Sequence, residues 1–256
     1  MKIIGMIPAR MGSYRFPGKP LCDICGTTMI EHVYQRSAMC PLLDETYIVT
    51  CNEEIKKEVE AFGGKVIMTP DTFNRCTDRL VYAVQENKMS KSDIIVLIQG
   101  DEPLVFPEMI SKAVQALIDD KEAVVSCLYK KIQSDEEFED KNEVKLVKTA
   151  DDYAIYFSRD PIPSKKLAMK SYDRYKQVCI MPYRTDFLLK FGKMSQTPLE
   201  IVESVDILRV IEHGYKVKLA ESTYETYSVD VPADQKRVER VMQKDPLFPK
   251  YRRIKV

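Results

Sequence analysis

Three cations and two glycines follow directly on an apolar run at the start of the chain: Ile3-Ile4-Gly5-Met6-Ile7-Pro8-Ala9, then Arg10, Arg15 and Lys19 among Gly12, Ser13 and Gly18. Residues of these types in one short loop are suited to holding phosphates. Guanidinium and ammonium groups supply charge, and backbone amides around Gly12-Ser13 and Gly18 can form a concavity for an anion. The loop is not a P-loop, which needs Gly, four residues, then Gly-Lys followed by Ser or Thr. Here five residues separate Gly12 from Gly18, and Lys19 precedes Pro20, which has neither hydroxyl nor amide hydrogen.

Phosphate chemistry also needs oxygen ligands for a cation. Asp101 follows the most apolar run, Ile94-Ile95-Val96-Leu97-Ile98, and Asp230 stands in Val229-Asp230-Val231-Pro232. Magnesium takes oxygen ligands in octahedral array and typically uses one or two carboxylates beside the phosphates themselves. Asp230 is read equally well as the N-cap of a following helix, and Asp101 by itself as a turn residue. Glu102 precedes Pro103, which holds it extended and makes it a supporting residue. Asp206 and Asp234 read as charges on helix surfaces.

These residues require strands to carry them to a common edge. Strand-like runs at 3–7, 47–50 and 65–68 alternate with helix-like stretches at 29–38, 53–62 and 77–85, a βαβ pattern. Residues 94–98 read as a central strand buried on both faces, so that Asp101 shares the carboxyl-end edge of the sheet with the basic loop, where open α/β sheets bind ligands. A helix is predicted at 107–117 and a strand at 123–129. Segments 144–148 and 153–157 flank a polar turn and read as an antiparallel hairpin. The Pro- and Lys-rich segment 161–170 reads as irregular and 177–183 as a strand. Beyond it, 200–213 reads as a helix, 216–220 and 227–229 as strands, and 232–243 as the last helix.

With 256 residues and 45% hydrophobic content, the chain can bury a full core as one domain, or as one domain with an appended lobe. Basic and acidic residues number 39 each, so no global field draws it to nucleic acid or an anionic membrane. The first residues lack a signal-peptide pattern, no apolar run is long enough to span a membrane, and seven dispersed cysteines favour a reducing cytoplasm. Cys22-x-x-Cys25 has no second pair at ligand spacing, and His32 and His213 stand far apart, which favours packing or loop positions over zinc or redox chemistry.

The sequence resembles the 3-deoxy-manno-octulosonate cytidylyltransferase (CMP-Kdo synthetase) family over nearly its whole length. The resemblance is carried by Ile7-Pro8-Ala9-Arg10 through Pro17-Gly18-Lys19-Pro20-Leu21 and by Gln99-Gly100-Asp101-Glu102-Pro103. Asn142, Val144-Lys145, Tyr156-Phe157-Ser158-Arg159, Pro198-Leu199-Glu200, Leu208-Arg209 and Val229-Asp230 continue it. It implies a Rossmann-like nucleotidyltransferase of α/β class, with a mostly parallel central sheet, helices on both faces and a small antiparallel, sugar-binding and dimerisation subregion at about 140–195. It implies transfer from CTP to a 2-keto-3-deoxy sugar acid by a magnesium-dependent cytoplasmic homodimer. By the family pattern, Arg10, Ser13, Arg15 and Lys19 hold the triphosphate, with Arg10, Lys19 and Asp101 as the catalytic set. Asp101 and Asp230 hold magnesium, Thr77 and Arg79 approach the cytidine, and Gln99 and Arg159 meet the acid. Gln177, Tyr183, Glu203 and Ile207 complete the substrate-binding positions.

The departures from the pattern concentrate on the acceptor side. The family's Ser-Gly-Thr-Glu-Arg is here Arg75-Cys76-Thr77-Asp78-Arg79. Its His-x-Gly-Ile-Tyr-x-Tyr-Arg is Gln177-Val178-Cys179-Ile180-Met181-Pro182-Tyr183-Arg184, and its Glu-x-Leu-Glu-Gln-Leu-Arg is Glu203-Ser204-Val205-Asp206-Ile207-Leu208-Arg209. A lost polar contact alters specificity more readily than it abolishes phosphoryl transfer. The expectation is a retained nucleotide half and an acceptor that is Kdo or a related acid. A transferase for another base or acceptor, or a non-catalytic nucleotide-binding protein, are the alternatives.

Overall fold

The computed structural model describes residues 1–12, 15–73, 75–164, 172–225 and 227–252. Strand β1 (Ile3–Ala9) leads into the basic loop, which closes in a 3-10 turn at Lys19–Leu21. The short ladder β2 (Asp23–Ile24) and β3 (Thr27–Thr28) precedes α1 (Met29–Ala38). Alternation follows through β4 (Glu45–Thr50), α2 (Glu53–Ala61), β5 (Val66–Met68), α3 (Cys76–Glu86), β6 (Ile94–Ile98), α4 (Pro107–Asp119) and β7 (Ala123–Lys131). Next come α5 (Asp135–Glu139), β8 (Lys145–Lys148), β9 (Ala154–Ser158), β10 (Tyr175–Val178) and β11 (Ile180–Arg184). The chain continues with α6 (Thr185–Phe191), α7 (Pro198–Glu203), α8 (Ile207–Glu212), β12 (Lys216–Glu221) and α9 (Pro232–Met242).

The main sheet runs β5-β4-β1-β6-β11-β7-β10-β8-β9, with β12 paired to β7. Pairing is parallel from β5 through β6, reverses at β11, and is parallel again between β7 and β12. Strands β10, β8 and β9 extend the sheet as an antiparallel ladder.

Period-two alternation divides the core between the two faces. Ile4, Met6, Ile95 and Leu97 pack with α3, α6 and α8 on one side, whereas Ile3, Ile7, Ile94 and Val96 pack with α1, α2 and α4 on the other. The run Ile94–Ile98 is buried throughout, as expected of a central strand covered by helices on both faces. A smaller cluster joins α9 to the β2–β3 ladder through Ile24, Val229, Val238 and Met242.

Four segments differ from the sequence expectations. The strand expected over 177–183 is broken at Cys179, because β10 pairs with β7 and β8 whereas β11 pairs with β6, and the chain bends to change partners. The helix expected over 200–213 is interrupted at Ser204, which takes a left-handed conformation with φ of 54°. No ladder forms over 227–229; instead the Val229 amide bonds to the Asp101 carbonyl. Helix α6 was not anticipated: its seven residues are too few for a clear period, and Thr185 at its start is set by tertiary bonds from its amide and hydroxyl to the Asp93 carbonyl. Much of the irregular segment predicted at 161–170 lies outside the described residues.

Candidate active site

The site grows from the carboxyl ends of β1 and β6, which lie side by side in the sheet. A Cβ on Gly100 would stand 2.7 Å from the Pro8 carbonyl oxygen, so only glycine lets the two strand ends approach this closely. The basic loop folds back on itself: Met11 N–H donates to Asn52 Oδ1 at 3.0 Å and Gly18 N–H to the Met11 carbonyl at 3.2 Å. Gly18 has φ of 72°, the left-handed region glycine adopts without strain. Its amide is therefore spent on closing the loop, which corrects the sequence expectation that it faces an anion. Gly12 does line the cleft. Ser13 lies outside the described residues.

At the floor of this cleft, Lys19 Nζ stands 2.8 Å from Asp101 Oδ2 and 3.3 Å from Asp230 Oδ1. Burial works against the lysine's charge, but the two carboxylates outweigh it and its pKa lies above the ordinary value. Arg15 crosses the opening, donating to Asp230 Oδ1 at 2.9 Å and to Asn142 Oδ1. With Arg10 and Gly12 these groups line an open cleft of about 320 Å³.

Asp230 reaches the cleft through two backbone devices. Val229 N–H bonds to the Asp101 carbonyl at 2.9 Å, and the Asp234 carboxylate accepts the amides of Asp230 and Val231 at 2.9 Å each. Asp234 thus caps the start of α9, leaving the Asp230 carboxylate free to face Lys19. The capping reading of Asp230 is corrected, as is the reading of Asp234 as a plain surface charge.

A second cleft of about 210 Å³ adjoins the first and shares Cys76 and Gln99 with it. Thr77, Arg159, Gln177 and Ile207 line it, as do Arg75 and Met181. The structure therefore gathers the substituted positions of three separate sequence segments into one place. Asp206, read from sequence as a surface charge, is instead mostly buried here. It accepts from Arg75 at 3.0 Å and from the Thr77 hydroxyl at 3.0 Å, and burial raises its pKa against the pull of these partners. The 75–79 register puts Arg75 and Thr77 toward α8 because Cys76 starts α3.

Other expected residues occupy different positions. Tyr183 is fully buried in β11, lines neither cleft, and directs its hydroxyl to Met181 Sδ at 3.9 Å. Its register in β11, opposite Ile95 on β6 and Val125 on β7, turns it into the core. Arg79 is buried with its guanidinium committed to Thr69 and to the carbonyls of Pro70 and Phe73, although it borders a small crevice beside Arg10. Glu203 accepts from the Tyr156 hydroxyl, the Ser158 hydroxyl and the Arg159 amide at 3.0, 2.9 and 2.8 Å. Burial raises the carboxyl's pKa, but these bonds outweigh it and leave it below the usual value. Glu203 thereby orients Arg159 from behind rather than lining the cleft.

Cys22, Cys25 and His32 serve packing. Cys22 and Cys25 rest against the small α9 cluster, with burial raising the Cys22 thiol to about 11. His32 is buried in α1 between the Ile24 carbonyl and the Tyr251 hydroxyl. Among the described residues no three metal-ligating His, Cys, Asp or Glu side chains cluster. No helix among them is long and apolar enough to cross a membrane.

Comparison with known proteins establishes the family and the fold. Residues 4–220 match the cytidylyltransferase family model. The chain is 41% identical to 3-deoxy-manno-octulosonate cytidylyltransferase of Geotalea uraniireducens, covering 95% of this chain and 100% of that protein. It is 42% identical to the protein of the same name from Fusobacterium nucleatum, with 94% and 96% covered. A solved CMP:2-keto-3-deoxy-manno-octonic acid synthetase complexed with CTP superposes with a TM-score of 0.88 at 36% identity, covering 95% of this chain and 99% of that one. A 4-diphosphocytidyl-2C-methyl-D-erythritol synthase from Anaerococcus prevotii shares the fold alone, with a TM-score of 0.61 at 13% identity over 94% and 98% of the chains. Matched along almost its entire length in both sequence and fold, this chain belongs to the 3-deoxy-manno-octulosonate cytidylyltransferase family.

Proposed function

We propose that this protein transfers the cytidylyl group of CTP to the anomeric hydroxyl of a 3-deoxy-2-keto sugar acid, Kdo or a close relative, and releases pyrophosphate. The observation that carries this reading is the Lys19 ammonium held between Asp101 and Asp230 on the floor of a cation-lined cleft that opens into a second, acceptor-sized cleft. In the transfer, the anomeric oxygen forms a bond to the α-phosphorus as the bond from that phosphorus to the bridging oxygen breaks. The hydroxyl proton passes to solvent.

Arg10, Arg15 and Lys19 surround the triphosphate and stabilise charge gathering on the departing pyrophosphate. Both carboxylates are partly open to the cleft and already converge on one cation, an oxygen donor set that suits magnesium. Asp101 and Asp230 would hold that ion, which when bound supplies Lewis-acid stabilisation of the phosphate oxygens. Gln99, at the junction of the clefts, stands where the reacting groups meet, and Arg159 faces the acid. Since both reactants are anions, positioning and charge neutralisation are the main contributions asked of the protein.

A cytoplasmic homodimer belongs to the same reading, with the subregion at about 140–195 serving sugar binding and dimerisation. Exposed Ile155 on β9, within this subregion, favours a covered face there.

The test is magnesium-dependent pyrophosphate release from CTP with Kdo and related acids. Acid-dependent release is the expected result. CTP binding without release from any acid would overturn the reading.

A further inference from the structure

Resting on the transferase reading, we infer that Asn142 is a positioning residue for the triphosphate: its side chain aims Arg15 across the nucleotide cleft without cancelling the guanidinium's charge. Arg15 Nη1 donates to Asn142 Oδ1 at 2.5 Å, and Nη2 donates to Asp230 Oδ1 at 2.9 Å. The two partners are not equivalent. Asp230 carries a formal charge that offsets that of Arg15 and that, on the proposed reading, magnesium requires. The Asn142 amide oxygen is neutral, so it directs the guanidinium and leaves its charge to the phosphates.

The amide is itself held in place. Asn142 Nδ2 and the Asn142 main-chain N–H both donate to Asp140 Oδ1, at 2.9 and 2.8 Å. These bonds fix Oδ1 as the end that meets Arg15 and polarise it as an acceptor. Beneath the loop lies Lys145, fully buried at the start of β8. Its ammonium donates to the carbonyls of Asp140 and Glu143 at 2.8 and 2.7 Å, and to the carbonyl of Arg159. One buried cation thus ties both flanks of Asn142 to the residue that follows β9.

The same loop reaches the acceptor side through its main chain. Arg159 Nη1 donates to the Lys141 carbonyl at 3.0 Å and to the Asn142 carbonyl at 3.5 Å. A cation of the nucleotide cleft and a cation of the acceptor cleft therefore rest on one loop, the first on a side chain and the second on carbonyls. Truncation of the Asn142 side chain removes the first support and keeps the second, so its effect falls on CTP and spares the acid.

The experiment is a double-mutant cycle on the full chain, with Asn142→Ala, Arg15→Ala and the two combined. Calorimetric titration with CTP and magnesium reads nucleotide binding, steady-state kinetics reads the KM for Kdo, and thermal unfolding reads the fold. Arg10 and Lys19 remain in the Arg15→Ala cleft, so nucleotide binding stays measurable. Asn142→Ala is expected to weaken CTP binding about tenfold in the otherwise unaltered protein, and less than about twofold beside Arg15→Ala, where its partner is already gone. The KM for the acid and the unfolding midpoint are expected to stay unchanged. Undiminished CTP binding, an equal loss in both backgrounds or a comparable rise in the acid's KM overturns the inference and leaves the transferase reading standing. Silence with every acid overturns the transferase reading, and the CTP cycle still decides the role of Asn142. Absence of CTP binding by the unaltered protein overturns both.

Discussion

The main-chain carbonyl of Asp101 accepts the Val229 amide at 2.9 Å, a bond that brings the segment carrying Asp230 beside Asp101. Two carboxylates from distant parts of the chain are aligned through backbone rather than through their side chains, which stay available to Lys19. The arrangement is preorganised: on the proposed reading, the groups that would meet a triphosphate need no rearrangement of the sheet.

Lys19→Ala and Asp101→Asn are each expected to lower kcat by about 100- to 1000-fold while leaving the fold intact, since both side chains face an open cleft. Pyrophosphate release and thermal unfolding read the two effects separately. Near-normal turnover in both variants would remove the phosphate and metal roles.

Asp234→Ala removes the acceptor for the Asp230 and Val231 amides. It is expected to cost about 1 kcal/mol as a lost cap and to reduce kcat roughly tenfold through misplacement of Asp230. Asp234→Asn keeps an accepting oxygen and should recover much of both. Lost stability with unchanged kcat would leave Asp234 as a helix cap only.

Glu203→Ala frees Tyr156, Ser158 and the Arg159 amide together. The expected outcome is a KM for the acid raised about tenfold with the KM for CTP unchanged, a split that steady-state kinetics resolves. Equal effects on both substrates would show that Glu203 supports the fold rather than the acceptor side.

Acid should destabilise the protein through His32. Burial, the largest influence, lowers its pKa to about 4, outweighing the Ile24 carbonyl, which accepts from Nε2 and favours the charged ring; the neutral ring accepts the Tyr251 hydroxyl at Nδ1. A group whose folded pKa is depressed contributes stability above its unfolded value, near 6.5, which is lost as pH falls toward 4. The loss across that window is at most about 3 kcal/mol. His32→Gln should flatten the dependence of the unfolding midpoint between pH 7 and pH 5. An unchanged slope would assign the acid sensitivity to other groups.

Much of the nucleotide half was legible in the sequence. An apolar run that empties into Arg10, Arg15 and Lys19, and a second that ends at Asp101, can be read locally, because strand burial and loop exit are written in consecutive residues. Helix α1 came out at the expected bounds for the same reason: its apolar spacing lies within one short window. The break at Cys179 and the left-handed Ser204 were not legible, since each follows from a change of partner strand or from bonds made by Arg75 and Arg159 across the fold.

The sequence by itself determined the residue types of the site, the sheet edge on which the basic loop and Asp101 stand, and the family. Only the tertiary structure decided that Asp234 rather than Asp230 caps α9, that Tyr183 turns into the core, and that Arg75, Cys76, Gln177, Met181 and Ile207 share one cleft. The reason is physical. Propensity and burial pattern act over a few neighbouring residues, whereas the direction of a side chain at a strand end depends on pairing register and on hydrogen bonds closed by residues far along the chain.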